Sequence, residues 1–398
     1  MSEGKYIVEI PVGPQHPALH EPISLRIKVD GEQVIDVNVV AGYNHRGVEW
    51  LAERKTFYQN IFLVSRVCGI CNAVHGAAYV QAVEDLLGIE VPPRARYLRT
   101  LVMELERIHS HMLILAVLAE VLGFETLFML MMRDRERIMY LKELVTGNRV
   151  HADYMFVGGV RRDLSTEKKD TILKHLAYIE ERMKYYEKVW SEDPIILKRT
   201  QGIGIATKSQ ALAHSLVGPV ARGSNVKNDV RFTDPYDAYD EIPFNIITRD
   251  EGDTWARMMV RIDEIYESIN MIKYILEHLP TGPIIPWKNI KAAPRRFPKG
   301  EGIGRAEAPR GELLYHIVSD GGVKPYRVKI RTPSILNIHN GVFMLLNQYI
   351  ADIPAIFTSF DPCISCAERV TVIDKEGKKK NIPWRKLADV NYVRKLFR

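Results

Sequence analysis

All four cysteines of the 398-residue chain fall in two Cys-x-x-Cys pairs, Cys68/Cys71 in RVCGICNAVH and Cys363/Cys366 in DPCISC. Because 291 residues lie between the pairs, a fold that uses all four thiols at one site must bring two distant loops together. In a reducing compartment such pairs are more typical of metal or redox sites than of structural disulfides. Four thiolates suit zinc, an iron–sulfur cluster or another thiophilic metal. Structural zinc knuckles lie roughly 15–20 residues apart, so the wide spacing favours a different metal, with zinc and separate redox pairs as alternatives.

Composition and charge narrow the class of protein. The 46% hydrophobic and 26% charged residues are typical of a globular chain with a large core. The most apolar stretch, MLILAVLAEVLGFETLFMLMM, is broken by Glu120 and Glu125, short of the roughly 18 uninterrupted apolar residues of a spanning helix. The N-terminus has no basic stretch followed by an apolar run, so we expect no signal peptide. The net charge of +6 lies entirely after Arg369, which leaves the folded body neutral and gives no reason to expect nucleic-acid binding.

The N-terminal residues predict strands, and most of the following chain predicts helices. Residues 5–40 alternate apolar and polar side chains, and Asp30-Gly31 marks a hairpin. Turn and capping signals predict helices within 45–90, at 93–123, from 125 to the TGN motif, at 165–192 behind a Ser165 cap, at 253–279 and at 335–349. Thr207 and Gln210 form a possible capping box.

The remaining segments complete the predicted fold class. Residues 223–252 are turn-rich and predict a long loop, and residues 300–332 predict short strands. The pattern predicts a single α+β domain over 1–369, with a mainly α-helical core and antiparallel β-structure at the N-terminus and in the C-terminal third. Residues 370–398 form a basic extension.

The sequence around the cysteine pairs resembles the two metal-binding signatures of [NiFe] hydrogenase large subunits. The resemblance to the membrane-bound, energy-converting group 4 enzymes (the formate-hydrogenlyase type) extends over the whole chain. It includes GPQHPALHEP, HRGVEW, ELERIHSH, GGVRRDL, GPVARGS, GIGRAEAPRGEL and the lysine-rich tail. The same fold serves as the 49 kDa subunit of respiratory complex I, which lacks the full cysteine quartet.

The resemblance implies a Ni–Fe(CN)2(CO) centre held by all four thiols. Cys68 and Cys363 would be terminal ligands of nickel, whereas Cys71 and Cys366 would bridge to the iron. The implied reaction is H2 ⇌ 2 H+ + 2 e−, with Cys363 as the base that takes the proton, since metal coordination keeps a thiol deprotonated.

Four further residues match positions with implied roles. Glu21 matches the glutamate that accepts protons near the terminal cysteine, although by itself it reads as a loop carboxylate. Arg310 in EAPRGEL matches the arginine over the open side of the metals, and Asp361 would orient it. His75 fits a hydrogen bond to a cysteine sulfur, with a buried structural histidine as the alternative.

Four further histidines lie in or near these motifs. His16 and His20 would extend the proton route from Glu21, although the flanking prolines and a tight turn explain them equally well. His109 and His111 are two residues apart on a predicted helix and therefore do not share a face, so neither is assigned to a metal.

Two departures from the family pattern concern Ser65 and the end of the second motif. Many relatives carry an acid where this chain has Ser65. Hydrogenases outside this group end the second motif with a histidine that binds a structural Mg2+ together with a glutamate such as Glu49. Here that position is Arg369, which puts the Mg2+ in doubt.

Family members are cleaved directly after this motif, which predicts cleavage between Arg369 and Val370 by a maturation endopeptidase.

The resemblance also implies partners. With every cysteine used, electrons must leave through another subunit, expected to be a small subunit with a [4Fe–4S] cluster. Other cluster-bearing and membrane-arm subunits would attach the chain to the cytoplasmic side of the membrane. The competing hypothesis is a complex-I-like coupling subunit whose thiols bind structural metal or none.

Overall fold

The computed structural model describes residues 7–17, 19–367 and 369, together with two short paired strands, Val372–Ile373 and Lys379–Lys380. The described chain begins with a three-stranded antiparallel sheet, β1 (Ile7–Val12), β2 (Ser24–Asp30) and β3 (Gln33–Val40), in the order β1-β2-β3. Buried and exposed side chains alternate along β2, as expected of a sheet with one face on the core. The predicted hairpin at Asp30-Gly31 is confirmed.

Thirteen α-helices are found among the described residues. They are α1 (Val48–Ala52), α2 (Phe57–Val64), α3 (Asn72–Leu87), α4 (Pro93–Val121), α5 (Glu125–Thr146), α6 (Glu167–Glu192), α7 (Pro194–Thr200), α8 (Lys208–Ala213), α9 (Pro219–Arg222), α10 (Val230–Thr233), α11 (Thr254–His278), α12 (Pro333–Asn340) and α13 (Ile353–Ser359). Short 3-10 turns occupy Ile290–Ala292, Gly341–Leu345, Ile350–Asp352 and Ile364–Cys366.

Helix α4 is the central element of the larger hydrophobic core. It packs against α5 and α11, and α3 packs against α4. Most of its side chains are buried, including those of Glu104, Glu106 and Arg107. A second core lies between the N-terminal sheet and α13. The second cysteine loop follows α13, where these two cores meet.

A second three-stranded antiparallel sheet lies against α3. It contains β6 (Lys299–Ala308), β7 (Gly311–Asp320) and β8 (Arg327–Arg331), whereas β4 (Met155–Phe156) and β5 (Gly159–Val160) form a small separate hairpin. Gly302 and Gly304 allow β6 to approach the helix, because a Cβ at these positions would lie 2.0 Å from the carbonyl oxygens of Ala82 and Ala78. This close packing places the β6–β7 turn, which carries Arg310, beside the cysteine loops.

The predicted fold class is confirmed, with local corrections. Residues 45–90 form three helices rather than one, because a capping box at Thr56 starts α2 after α1 has ended, and the first cysteine loop separates α2 from α3. The last predicted helix ends at Asn340 and continues as a 3-10 turn. Ser165 does not cap α6; the residue at that position is Thr166, whose side chain makes no capping bond. The capping box of Thr207 and Gln210 is present.

Candidate metal centre

The first cysteine loop is a tight turn between α2 and α3. Cys68 Sγ accepts hydrogen bonds from the backbone amides of Ile70, at 3.3 Å, and Cys71, at 3.2 Å. Cys71 is the residue immediately before α3. Its thiol therefore lies near the N-terminal end of a 16-residue helix.

The second cysteine loop leaves α13 through Asp361, whose backbone has a positive φ of 54°. The chain then forms the 3-10 turn Ile364–Cys366. The amide of Cys363 donates to Ser334 Oγ at 3.2 Å, and Thr332 Oγ1 donates to the carbonyl of Cys366 at 2.7 Å. These bonds join the loop to the start of α12.

The two loops meet with their thiols buried. Cys363 Sγ lies 3.3 Å from Cys68 Sγ and 3.0 Å from Cys366 Sγ, and these three sulfur atoms all lie within 4.8 Å of one another. Cys71 is outside that group of three. Its thiol nevertheless forms a hydrogen bond with Cys68, and this bond is the main reason that the pKa of Cys71 is raised. None of the four is in a disulfide, and none is more than 6% exposed. Hydrogen bonds from the neighbouring thiols, that of Cys363 first, lower the pKa of Cys68.

Arg310 connects the fourth cysteine to the second loop. Its Nη1 donates to Cys71 Sγ at 3.1 Å and to Ser110 Oγ at 3.0 Å. Its Nε donates to the carbonyl of Asp361 at 2.8 Å, and its Nη2 donates to Asp361 Oδ1 at 2.5 Å. The guanidinium is only 3% exposed. It thus places a buried positive charge beside the thiols.

Glu21 lies on the loop between β1 and β2 and contacts the second cysteine loop. Its carboxylate accepts hydrogen bonds from the amides of Ile364 and Ser365 and from Ser365 Oγ, the last at 2.7 Å. The structure therefore brings Glu21 onto the segment between Cys363 and Cys366. His16 and His20, on the same loop, are exposed to solvent.

His75 lies under Cys366 on the first turn of α3. Its Nε2 is 3.8 Å from Cys366 Sγ, and its Nδ1 is 2.7 Å from the hydroxyl of Tyr315. Burial lowers the pKa of His75 to about 4, so the ring is neutral at pH 7. A neutral ring with one nitrogen held by Tyr315 can direct the other toward the sulfur.

Glu49 is surrounded by cations. Lys329, Arg327 and Arg369 lie at 3.2, 3.5 and 3.6 Å from its carboxylate, and the amide of Ile330 donates to it at 3.0 Å. Mg2+ requires oxygen ligands in a near-octahedral shell. Three positive side chains around one carboxylate do not fit that requirement. The expected Mg2+ site at Glu49 therefore has no suitable donor set, and Arg369 contributes to an ion-pair cluster instead.

Ser65 is part of a hydrogen-bonded cluster with Arg66 and Asp153. Ser65 Oγ donates to Asp153 Oδ1 at 2.5 Å, and Arg66 also binds that carboxylate. An acid from a distant loop thus lies beside the residue where relatives carry their own. Val370, on the other side of the predicted cleavage point, lies outside the described residues.

Two buried residues of α4 that are not among the predicted site residues, Ser110 and Glu106, also contact the site. Ser110 is the middle residue of HSH and binds Arg310. Glu106 accepts hydrogen bonds from the first-turn amides of α3, Ala73 at 2.9 Å and Val74 at 3.0 Å, and Lys142 is 3.5 Å away. Glu106 therefore fixes the helix end that follows Cys71. The signal that the sequence offered is a pair of closely spaced acids, Glu104 and Glu106, among apolar residues of α4.

The described residues form an α+β fold in which two distant loops bring four buried thiols together. The sequence model of "Respiratory-chain NADH dehydrogenase, 49 Kd subunit" matches residues 122–296 and 287–369, and that of "Nickel-dependent hydrogenase" matches 46–121. The carbon monoxide-induced hydrogenase of Rhodospirillum rubrum is 42% identical, over 90% of this chain and 99% of that protein. The membrane-bound hydrogenase subunit alpha of Pyrococcus furiosus is 40% identical, over 95% and 91%.

A solved structure has the same fold. It is a chain of the membrane-bound sulfane sulfur reductase, an archaeal respiratory membrane complex, with a TM-score of 0.87 and 37% identity over 93% of this chain and 100% of that chain. The chain belongs to the oxidoreductase family that unites membrane-bound nickel-dependent hydrogenase large subunits with the 49 kDa subunit of respiratory-chain NADH dehydrogenase. Within the described residues, no helix combines the length and apolar character needed to cross a membrane.

Proposed function

We propose that the chain is the catalytic subunit of a membrane-associated group 4 [NiFe] hydrogenase, which catalyses H2 ⇌ 2 H+ + 2 e−. One observation supports this proposal above all. Two loops 291 residues apart bring four buried thiols together, and the guanidinium of Arg310 donates a hydrogen bond to one of these thiols, that of Cys71. A set of soft, buried sulfur ligands fits a thiophilic transition metal. It does not fit Mg2+ or Ca2+, which take oxygen ligands.

In this proposal the thiolates of Cys68, Cys71, Cys363 and Cys366 would hold the nickel–iron group. When bound, the Ni–Fe(CN)2(CO) group supplies heterolytic cleavage of hydrogen. The tight turn at Cys68 and the 3-10 turn at Cys366 fix the four sulfurs before the group binds.

The proton leaves through side chains of the chain itself. Cys363 Sγ takes the proton, and Glu21 accepts it from the thiol. The donors around Glu21 are two amides and one hydroxyl, which hold its carboxylate against the segment between Cys363 and Cys366.

Arg310 supplies a positive charge at the open side of the site. Its side chain cannot turn away, because Asp361 and Ser110 hold it from two directions. A fixed guanidinium in a water-poor site stabilises negative charge without reorganisation during the reaction. Asp361 therefore acts through Arg310 as a positioning residue.

The electrons require a partner, because the four cysteines are all committed to one site. We infer a small subunit with a [4Fe–4S] cluster, further cluster-bearing subunits and a membrane arm, with the chain attached at the cytoplasmic face. In this account residues 1–369 form the mature domain, and an endopeptidase removes 370–398 after Arg369.

Isotope exchange between D2 and solvent protons tests the proton route. In the purified complex, Glu21→Gln should retain its metals and lose exchange, because an amide cannot accept the proton. Glu241→Gln is the matched control, since Glu241 is bonded to Arg96 and Tyr97 on the surface and should exchange normally. Normal exchange in Glu21→Gln would exclude Glu21 as the proton acceptor.

A complex-I-like coupling subunit is the second candidate function. The 49 kDa sequence model matches the longer part of the chain, and the similar solved structure comes from a sulfane sulfur reductase. In that case the purified complex would contain no nickel, and its thiols would bind a structural metal or none.

A further inference from the structure

Arg46 contacts both cysteine loops through one guanidinium group. The residue lies between β3 and α1, in HRGVEW. Its Nη1 donates to the carbonyl of Arg66 at 2.7 Å, and its Nη2 donates to the carbonyl of Val67 at 2.8 Å. A longer contact, 3.5 Å, joins Nη2 to the carbonyl of Ser365. Arg66 and Val67 directly precede Cys68, and Ser365 lies between Cys363 and Cys366.

The second loop needs such a connection, because it packs on a different part of the protein from the first. Ile364 and Ala367 belong to the core under the N-terminal sheet, whereas Val67 belongs to the larger core around α4. Glu21 and Asn44 hold the second loop from the N-terminal side, with Asn44 Nδ2 at 3.4 Å from Ser365 Oγ. Arg46 also holds the first loop, through the backbone carbonyls that precede Cys68, whereas Arg310 reaches that loop at the thiol of Cys71.

We propose that Arg46 is a positioning residue of the metal centre, which fixes the second cysteine loop against the first and thereby sets the affinity for a metal bound by the four thiols. A planar guanidinium can donate to several carbonyls in a fixed fork, which a lysine ammonium cannot reproduce. The proposal rests on the part of the proposed function that assigns a metal to these thiols. It does not depend on hydrogenase chemistry.

Cobalt(II) titration of the full-length chain tests this proposal, since thiolate-to-cobalt charge-transfer absorption reports coordination directly. Loss of an outer residue that orients metal ligands typically costs about 10- to 100-fold in metal affinity. We expect Arg46→Gln to weaken cobalt binding within that range, and Arg46→Lys to weaken it less. Arg46 is exposed, so both variants should fold.

Arg94 provides the matched control. It donates to two backbone carbonyls as well, those of Pro280 at 2.8 Å and Leu164 at 3.2 Å, and so joins two segments other than the cysteine loops. Arg94→Gln should lower the thermal unfolding temperature and leave cobalt affinity unchanged. Equal cobalt affinity in Arg46→Gln and wild type would overturn the proposal, as would equal weakening in the two glutamine variants.

The result is separable from a failure of the proposed function. If Arg46→Gln binds cobalt more weakly than wild type, the positioning role is retained. If the native complex at the same time contains no nickel, the hydrogenase assignment is excluded. Unchanged cobalt binding in a nickel-containing, active complex would exclude the positioning role alone.

Discussion

Replacing Asp361 with asparagine removes one buried charge and little else. The side chain is 1% exposed, its Oδ1 accepts from Arg310 at 2.5 Å, and Arg261 Nε lies 4.0 Å from its Oδ2. Asparagine retains an acceptor oxygen for Arg310. It also tolerates the left-handed backbone at this position, φ 54°, better than most residues do.

The expected cost follows from the pair that is broken. Removing one partner of a buried ion pair costs about 3–5 kcal/mol, and the hydrogen bond that asparagine keeps recovers about 1 kcal/mol. We therefore expect the free energy of unfolding to fall by about 2–4 kcal/mol. With an unfolding entropy of about 2.1 cal/mol/K per residue, this corresponds to a decrease of roughly 2–5 °C in Tm.

Scanning calorimetry of the full chain measures this change. Asp36→Asn serves as the control, because Asp36 pairs with Lys28 at the surface, where the side chains are 57% and 46% exposed, and its Tm should not change. Burial raises the pKa of Asp361, against the opposing effects of Arg310 and Arg261. A decrease below 1 °C would therefore show that the folded protein holds a neutral acid there, which would refute the ion pair.

Three further predictions concern the helix α4, the contact of α3 with β6, and the tail. Burial lowers the pKa of His111 from 6.5 to about 4, so the folded state keeps the ring neutral. The free energy of unfolding therefore decreases as pH falls from 6.5 through 4, by about 2–3 kcal/mol at pH 4.5. Denaturant unfolding at pH 7 and 4.5 should show a smaller decrease in His111→Gln than in wild type, and an equal decrease would contradict the assignment to His111. Gly304→Ala places a Cβ 2.0 Å from the carbonyl oxygen of Ala78 and should destabilise the protein by at least about 3 kcal/mol. The control Gly69→Ala, which has open space around the new Cβ, should change the Tm by less than about 1 °C. Equal Tm values for the two variants would show that β6 does not approach α3 this closely. The intact mass of nickel-loaded protein should correspond to a chain that ends at Arg369, and a mass that includes residues 370–398 would refute cleavage.

The thiol site was predictable because cysteine is rare in this chain and its spacing is unambiguous. The same holds for elements with strong local signals, such as the Asp30-Gly31 hairpin and the capping box at Thr207. In these cases the residues that decide the conformation are neighbours in sequence. Local chemistry therefore sufficed.

The polar shell of the site was less predictable, because its members come from different elements. Nothing near Ser110 or Glu106 indicates that one binds Arg310 and the other binds the start of α3. The interruption of the predicted 45–90 helix at Cys68 involves the thiol itself, which accepts hydrogen bonds from the amides of Ile70 and Cys71, and helical spacing does not indicate such bonds. The cations around Glu49 were not predictable for a related reason, since Arg327 and Lys329 come from β8 and had no visible connection to Glu49 in the sequence.

The metal content of the purified membrane complex tests the central claim most directly. We predict about one nickel per chain, together with infrared bands from one carbonyl and two cyanide ligands, and loss of both nickel and bands in Cys363→Ser. Nickel-free complex without these bands, or with zinc in the thiol site, would contradict the hydrogenase assignment.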